Sequence, residues 1–258
     1  MNILNIPLIQ VQSFFLIFLR VVSILMIVPI FDSKNIPPIL KVSLAFSLSI
    51  VLFPIIKIDS GIFYNNSVSF AIGVAGEIMI GVAIGISVKL IFAGIQIAGQ
   101  INGIQMGLGL SNVMDPTMEG QVSTIGQFYN LFALLVFLSI SAHHWYLKAL
   151  VESFVLVPPC NFQFSDSLMR LLISLAGKMF IISIKVAAPV MCALLITSMA
   201  FGIMARTVPQ MNIMFVAMPI KICIGLFFMG IILPLLFSFL RHVFAGLGTD
   251  IFLLLKAM

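Results

Sequence analysis

Four charged side chains stand where charge is costly. Arg20, Glu77, Lys178 and Lys185 each fall inside a long apolar run. An arginine or lysine facing lipid at a helix centre costs at least ~2.5–3.5 kcal/mol, so each must face protein, water or an interface. Arg20 reads either as a buried or snorkelling side chain or as a contact with a partner. Lys178 and Lys185 are seven positions apart and share a helical face. They either satisfy Glu77 or backbone carbonyls within the chain, or meet a partner subunit. Glu77 and Lys89 are twelve apart, about 120° round a helix, and do not pair directly. With Arg206, in a polar turn further on, these residues are the candidate buried charges and partner contacts.

A second stretch carries a different chemistry. From Gln96 to Gly120 the apolar pattern is interrupted near the middle of the chain. Gln96 and Gln100 are four apart, as are Gly99, Gly103 and Gly107, which puts amides on one helical stripe and glycines on another. From Gly107 the helix signal fails, because Gly109, Ser111-Asn112 and Asp115-Pro116 all favour turns. A loop of this composition between membrane-grade helices survives only inside protein or beside water. Met106, Met114 and Met118 are flexible and polarizable and could form a deformable seal there. The competing reading is ordinary gap filling in a chain with 16 methionines.

Other reactive residue types lead nowhere comparable. His143 and His144 are adjacent, so their side chains point about 100° apart on a helix, and no third metal ligand lies nearby. With Trp145 and Tyr146 beside them they read as an interfacial belt. Cys160, Cys192 and Cys223 lack CxxC spacing, and free cysteine packs as a small hydrophobe. No HExxH, GxSxG, Walker loop or pair of membrane carboxylates occurs. The chain reads as a non-enzyme without cofactor or metal.

The elements that must position these residues are membrane helices. Of 258 residues, 62% are hydrophobic and 8% charged, against roughly 25% charged in soluble domains. A soluble fold of this length could not hide so much apolar surface. The apolar runs are long and lack the alternation of a barrel, so the class is all-α and polytopic. Candidate segments are Leu8–Phe31, Ile39–Ile56, Val68–Gln105, Val122–Ser141, Leu168–Phe201 and Ile213–Leu240. A polar, broken stretch is expected from Lys148 to Ser167, and a short amphipathic tail from Arg241 to Met258. The third segment would exceed ~50 Å as one helix, so it either breaks at a glycine or leaves the bilayer. Gly73, Gly81 and Gly85 share a face with Glu77, a stripe suited to close helix contact. The fifth is also overlong, and Pro189 should kink it. Met1 to Pro7 lacks Lys or Arg and no cleavage site follows, so no cleavable signal is expected. No repeat or linker appears, and a single domain over 1–258 is expected.

The net charge of +5 is scattered, without a basic run for nucleic acid or a polybasic lipid clamp. Counting six simple spans, Lys34, Lys41 and Arg206 fall on one side, and Lys57, Lys148, Arg241 and Lys256 on the other. The positive-inside rule then gives no orientation. Overlong, kinked, charge-bearing helices of this kind suit packing against other helices of a larger assembly. Two functional classes remain. One is a solute permease using Glu77, Lys178 and Lys185 as a charged midplane relay, although the matched broken helices of such transporters are missing. The other is a component of a multi-protein translocation channel.

The second class has a specific resemblance behind it. Pro29-Ile30-Phe31, Ile36-Pro37-Pro38 and Lys41 begin it; Gln100, Gly103, Gln105 and Gly107 follow, then Asp115-Pro116. His143-His144, Ser153-Phe154, Ala188-Pro189, Arg206 to Asn212 and Pro219 to Ile222 continue it in order. Together these resemble the FliR family of flagellar export-gate proteins, with the injectisome (SctT-like) branch a close relative. The resemblance implies an inner-membrane, multi-pass component of a type III secretion export gate in the flagellar basal body. It implies long, kinked helical hairpins, one copy completing a ring with FliP-like and FliQ-like subunits, and FlhB-like and FlhA-like components nearby. Unfolded export substrates would pass through, with membrane lipid around the gate. The loop at about 105–120 would correspond to the pore plug. Its implied plug and gating residues are Gln105, Met106, Gly107, Leu108, Gly109, Met114, Asp115, Pro116 and Met118.

Overall fold

The computed structural model describes residues 8–29, 36–56, 67–108, 123–207 and 212–258. Among them are seven helices and no strand: α1 Leu8–Ile27, α2 Pro38–Leu52, α3 Ser67–Gln105, α4 Thr124–Ser139, α5 Ala142–Leu156, α6 Asp166–Thr207 and α7 Ile213–Lys256. Four helices, α1, α3, α6 and α7, are long and apolar enough to cross a membrane, and α4 with α5 can form a fifth, broken span. The protein is an all-α, polytopic membrane protein.

Helix ends follow local chemistry. α1 stops just before Val28-Pro29, where the residue preceding proline is pushed out of the helical region. α2 begins with Pro38 in its first turn, where a missing N–H costs nothing. Ser165 Oγ accepts from Leu168 N–H at 3.1 Å at the start of α6. Asp166 in the first turn of α6 and Arg206 in its last complement the helix dipole. Between α4 and α5, Ser141 takes the left-handed region at φ 55°.

Two expectations need correction. Residues 148–156, part of the stretch from Lys148 to Ser167 read as polar and broken, are helical and lie in α5. Its Lys148 and Glu152 pair at 3.6 Å on the exposed side, while Ala142, Tyr146, Ala149, Leu150, Ser153 and Phe154 are buried. Polarity on one face marks amphipathicity here and not a break. The stretch Arg241–Met258 is no separate tail but runs on from α7 through Lys256. Of the two readings open for the third segment, a single helix is the one found: α3 runs for 39 residues, and α6 (42 residues) and α7 (44 residues) likewise continue through Pro189, Pro219 and Pro234. At ~1.5 Å per residue each is about 60 Å long, twice a ~30 Å hydrocarbon core.

The chain divides into two compact units. One lies within Met1–Leu90, Ser141–Leu175 and Ala245–Met258, and the other within Ile91–Ile140 and Ala176–Phe244. α3, α6 and α7 contribute to both. In the first unit Phe14 meets Phe46 and Phe53 edge-on to join α1 to α2. Gly81 and Gly85 of α3 admit Ser23 and Ile27 of α1 at distances no Cβ would tolerate. The end of the chain is drawn in by Gln163 N–H donating to Met258 O at 3.0 Å, beside a core of Leu168, Leu175 and Leu254. The second unit is centred on mutually packed Phe92, Phe137 and Phe244.

Candidate functional site

The first cluster lies in the first unit. Arg20 on α1 and Glu77 on α3 are both fully buried, and the guanidinium reaches both carboxylate oxygens, with Nη2 donating to Oε1 at 2.9 Å. Nη1 donates to Ser153 O at 2.9 Å and Val157 O at 3.0 Å, two carbonyls left free where α5 ends. The guanidinium carbon lies 4.3 Å from the centre of the Phe154 ring. Cys160 N–H donates to Glu77 Oε1 at 3.2 Å, so one carboxylate also holds the turn after α5. Gly73 and Gly76 of α3 make room for Cys160 and Phe162. Burial, followed by the charge of Glu77 and opposed by Arg20, pushes the Cys160 thiol up to about 11. A buried arginine fits this place because its planar fork satisfies a carboxylate and two carbonyls at once.

This accounts for two of the charges singled out from sequence. Arg20 and Glu77 answer each other inside the chain. The permease relay is thereby deprived of its carboxylate, since both Glu77 oxygens are engaged by Arg20 and one also by Cys160. Lys178 and Lys185 are exposed on α6, and Arg206 is exposed in its last turn. Of the presumed aromatic belt, Trp145 is exposed, but Tyr146 is buried and its hydroxyl donates to Ile24 O at 3.1 Å. The His143 and His144 rings lie 4.2 Å apart. Among the described residues no group of three His, Cys, Asp or Glu is placed to hold a metal.

The second cluster, in the second unit, is the end of α3. Gly99 meets Gly126 of α4 so closely that a Cβ on Gly99 would stand 2.6 Å from the Gly126 Cα. Backbone touches backbone there. One turn on, Asn102 has no exposed surface and donates through Nδ2 to the Tyr129 hydroxyl at 3.3 Å, while its Oδ1 has no partner among the described residues. Gly103 accommodates Ser123, the residue that precedes α4.

The helix is then closed by a defined cap. Gly107 N–H donates to Ile104 O and Leu108 N–H to Gly103 O, both at 3.0 Å, and Gly107 takes φ +87°. This is the Schellman arrangement, which needs a residue at ease in the left-handed region. The failure of the helix signal at Gly107 thus has a geometric cause. Met106 is fully buried, lodged against Gly225 of α7, and Met218 of α7 lies over Gly107. Gln105 is partly buried and Leu108 is 38% exposed. Gly109, Met114, Asp115, Pro116 and Met118 lie outside the described residues.

Sequence reasoning missed Asn102 and Gly225, and quoted Ser153 only within a motif, without a partner. An asparagine among apolar helical residues and a glycine in a helix interior were the available signals. Neither type names its partner.

Comparison with known proteins gives the chain a family. Residues 11–247 match the family described as bacterial export proteins, family 1. The flagellar biosynthetic protein FliR of Bacillus subtilis (strain 168) is 32% identical over 236 residues, covering 90% of each chain. That of Pectobacterium carotovorum subsp. carotovorum is 30% identical over 91% of this chain and 89% of its own. That of Escherichia coli (strain K12) is 27% identical over 88% and 86%.

Proposed function

This chain belongs to the bacterial export proteins, family 1, and from that membership we propose that it is the FliR-type subunit of a type III secretion export gate, of the flagellar kind. It is a component of the flagellar export apparatus. In this reading it sits in the bacterial inner membrane at the flagellar basal body. One copy completes a ring with FliP-like and FliQ-like subunits, next to FlhB-like and FlhA-like components, around a path for unfolded substrates. The match running from residue 11 to residue 247, through the centre of the chain, carries the reading. The surface supports it. In an 18-residue apolar window of α7 only 11% is buried inside this chain, which leaves most of that window to be covered by lipid or other subunits.

The segment after Leu108 is the plug in this reading. The Schellman cap ends α3 at a set place, and Met106 belongs to the chain's own core, so occlusion falls to the residues that follow. Gly109, Met114, Asp115, Pro116 and Met118 are its proposed working residues. Glycine grants conformations closed to other residues, the methionines fill space without a rigid fit, and Asp115-Pro116 restricts the return towards α4. Lys178, Lys185 and Arg206 are proposed contacts with neighbouring subunits.

The test is deletion of 109–117 in the complete gate, with the cap residues kept. The gate is expected to assemble and to leak ions or a small dye in the absence of substrate. A deleted gate that assembles and stays as tight as the parent would sink the plug assignment.

A further inference from the structure

We propose that Met106 is a positioning residue for the plug: seated in the notch at Gly225, it ties the origin of the loop to α7. The inference rests on the plug reading above and adds what sets the plug's place. The last turn of α3 is held on two sides. Towards α4 the contact is rigid, with Gly99 on Gly126 and the buried Asn102–Tyr129 bond. Towards α7 it is one flexible side chain in a fitted hole.

Any side chain at Gly225 would occupy the space of Met106: a Cβ there would stand 2.8 Å from its Cγ and 3.0 Å from its Sδ. Met218, seven positions earlier on the same face of α7, reaches over Gly107, where an added Cβ would meet its Cε at 3.5 Å. α7 therefore grips both the last buried side chain of α3 and the glycine that caps it. Of the other glycines of the same helix, Gly230 and Gly246 have nothing within 4 Å, and a Cβ on Gly248 would meet Trp145 at 3.2 Å, so Gly225 is the one most tightly filled. The apolar 18-residue window of α7 is also less buried by this chain than those of α1, α3 and α6. A displacement of α7 by its surroundings would pull on Met106 and shift the point from which the loop departs.

The experiment measures resting conductance of the complete gate, with assembly checked by co-purification. Met106→Ala alone and Gly225→Leu alone should each raise conductance several-fold. The pair should return it towards the parent, because the leucine fills the space the methionine vacates. Met106→Leu, close in volume, should stay tight. If Gly225→Leu prevents assembly, the contrast between Met106→Ala and Met106→Leu decides. A tight Met106→Ala gate, or a double variant as leaky as the worse single one, overturns the inference. The 109–117 deletion separates the two ideas. A leaky deletion with a tight Met106→Ala gate sinks only the anchor, whereas a tight deletion sinks the plug itself.

Discussion

Arg20 and Glu77, 57 positions apart in sequence, form an ion pair with no exposed surface on either side chain. The pair joins α1 to α3, and through Ser153, Val157 and Cys160 it also holds the end of α5. Removing one partner leaves the other charged and buried, which costs about 3–5 kcal/mol, whereas replacing both by apolar residues of similar volume is often close to neutral. Arg20→Ala and Glu77→Ala should therefore each strongly reduce the amount of assembled gate and its thermal stability. Arg20→Met with Glu77→Leu should recover much of the loss. Single variants as stable as the parent would contradict the arrangement.

Gly99 and Gly177 should respond in opposite ways to alanine. At Gly99 the new Cβ would press on the Gly126 Cα and on Ile125 O, which as backbone yield little, so a loss of about 1–3 kcal/mol is expected. At Gly177 nothing lies within 4 Å, and alanine should gain up to ~1 kcal/mol in helix propensity. Melting of the purified complex checks both. A harmless Gly99→Ala would mean that α3 and α4 do not touch there.

Lys178 and Lys185 present positive charge on the exposed side of α6. If neighbouring subunits supply the counter-charge, Glu at either position should block assembly or export. Met, which keeps an apolar stem and adds no opposing charge, should be milder. Motility and co-purification are the readouts. Equal tolerance of Glu and Met at both positions would show that no neighbouring subunit answers either charge.

Cys160 should be a slow thiol. Its raised pKa favours the neutral form in the folded protein. That contribution to stability is complete below the ordinary value of 9.0 and is lost as pH rises through about 11. With Cys192 and Cys223 replaced by serine, alkylation of Cys160 in the intact gate should rise with a midpoint near 11. At pH 8 it should run about a hundredfold slower than in the unfolded chain, since the thiolate is the nucleophile and the shift is about two units. A midpoint at the ordinary value would show that burial and Glu77 do not act on it.

Much of this protein was legible from local properties. Hydropathy marked the apolar segments, and the cost of charge in lipid required that Arg20 and Glu77 find company. The glycines and turn formers from Gly107 onward announced the end of α3, and the observed φ at Gly107 is the reason a glycine suits that position. Local signals misled where one face was mistaken for the whole. Lys148 and Glu152 looked like a break and are the outer face of α5, while Arg241 looked like the start of a tail and lies inside α7.

By itself, then, the sequence determined the class, the membrane location, the stretches that must be helix and the residues that could not be left to lipid. These depend on side-chain transfer energies and backbone preferences, which act over a few neighbouring residues. Only the tertiary structure decided that Arg20 takes Glu77 and the carbonyls of α5, that Gly99 lies on Gly126, and that Met106 enters the notch at Gly225. These are choices among many chemically equivalent partners. What selects one is how the long helices α3 and α7 and the shorter ones around them come together, and no periodicity along the chain encodes that.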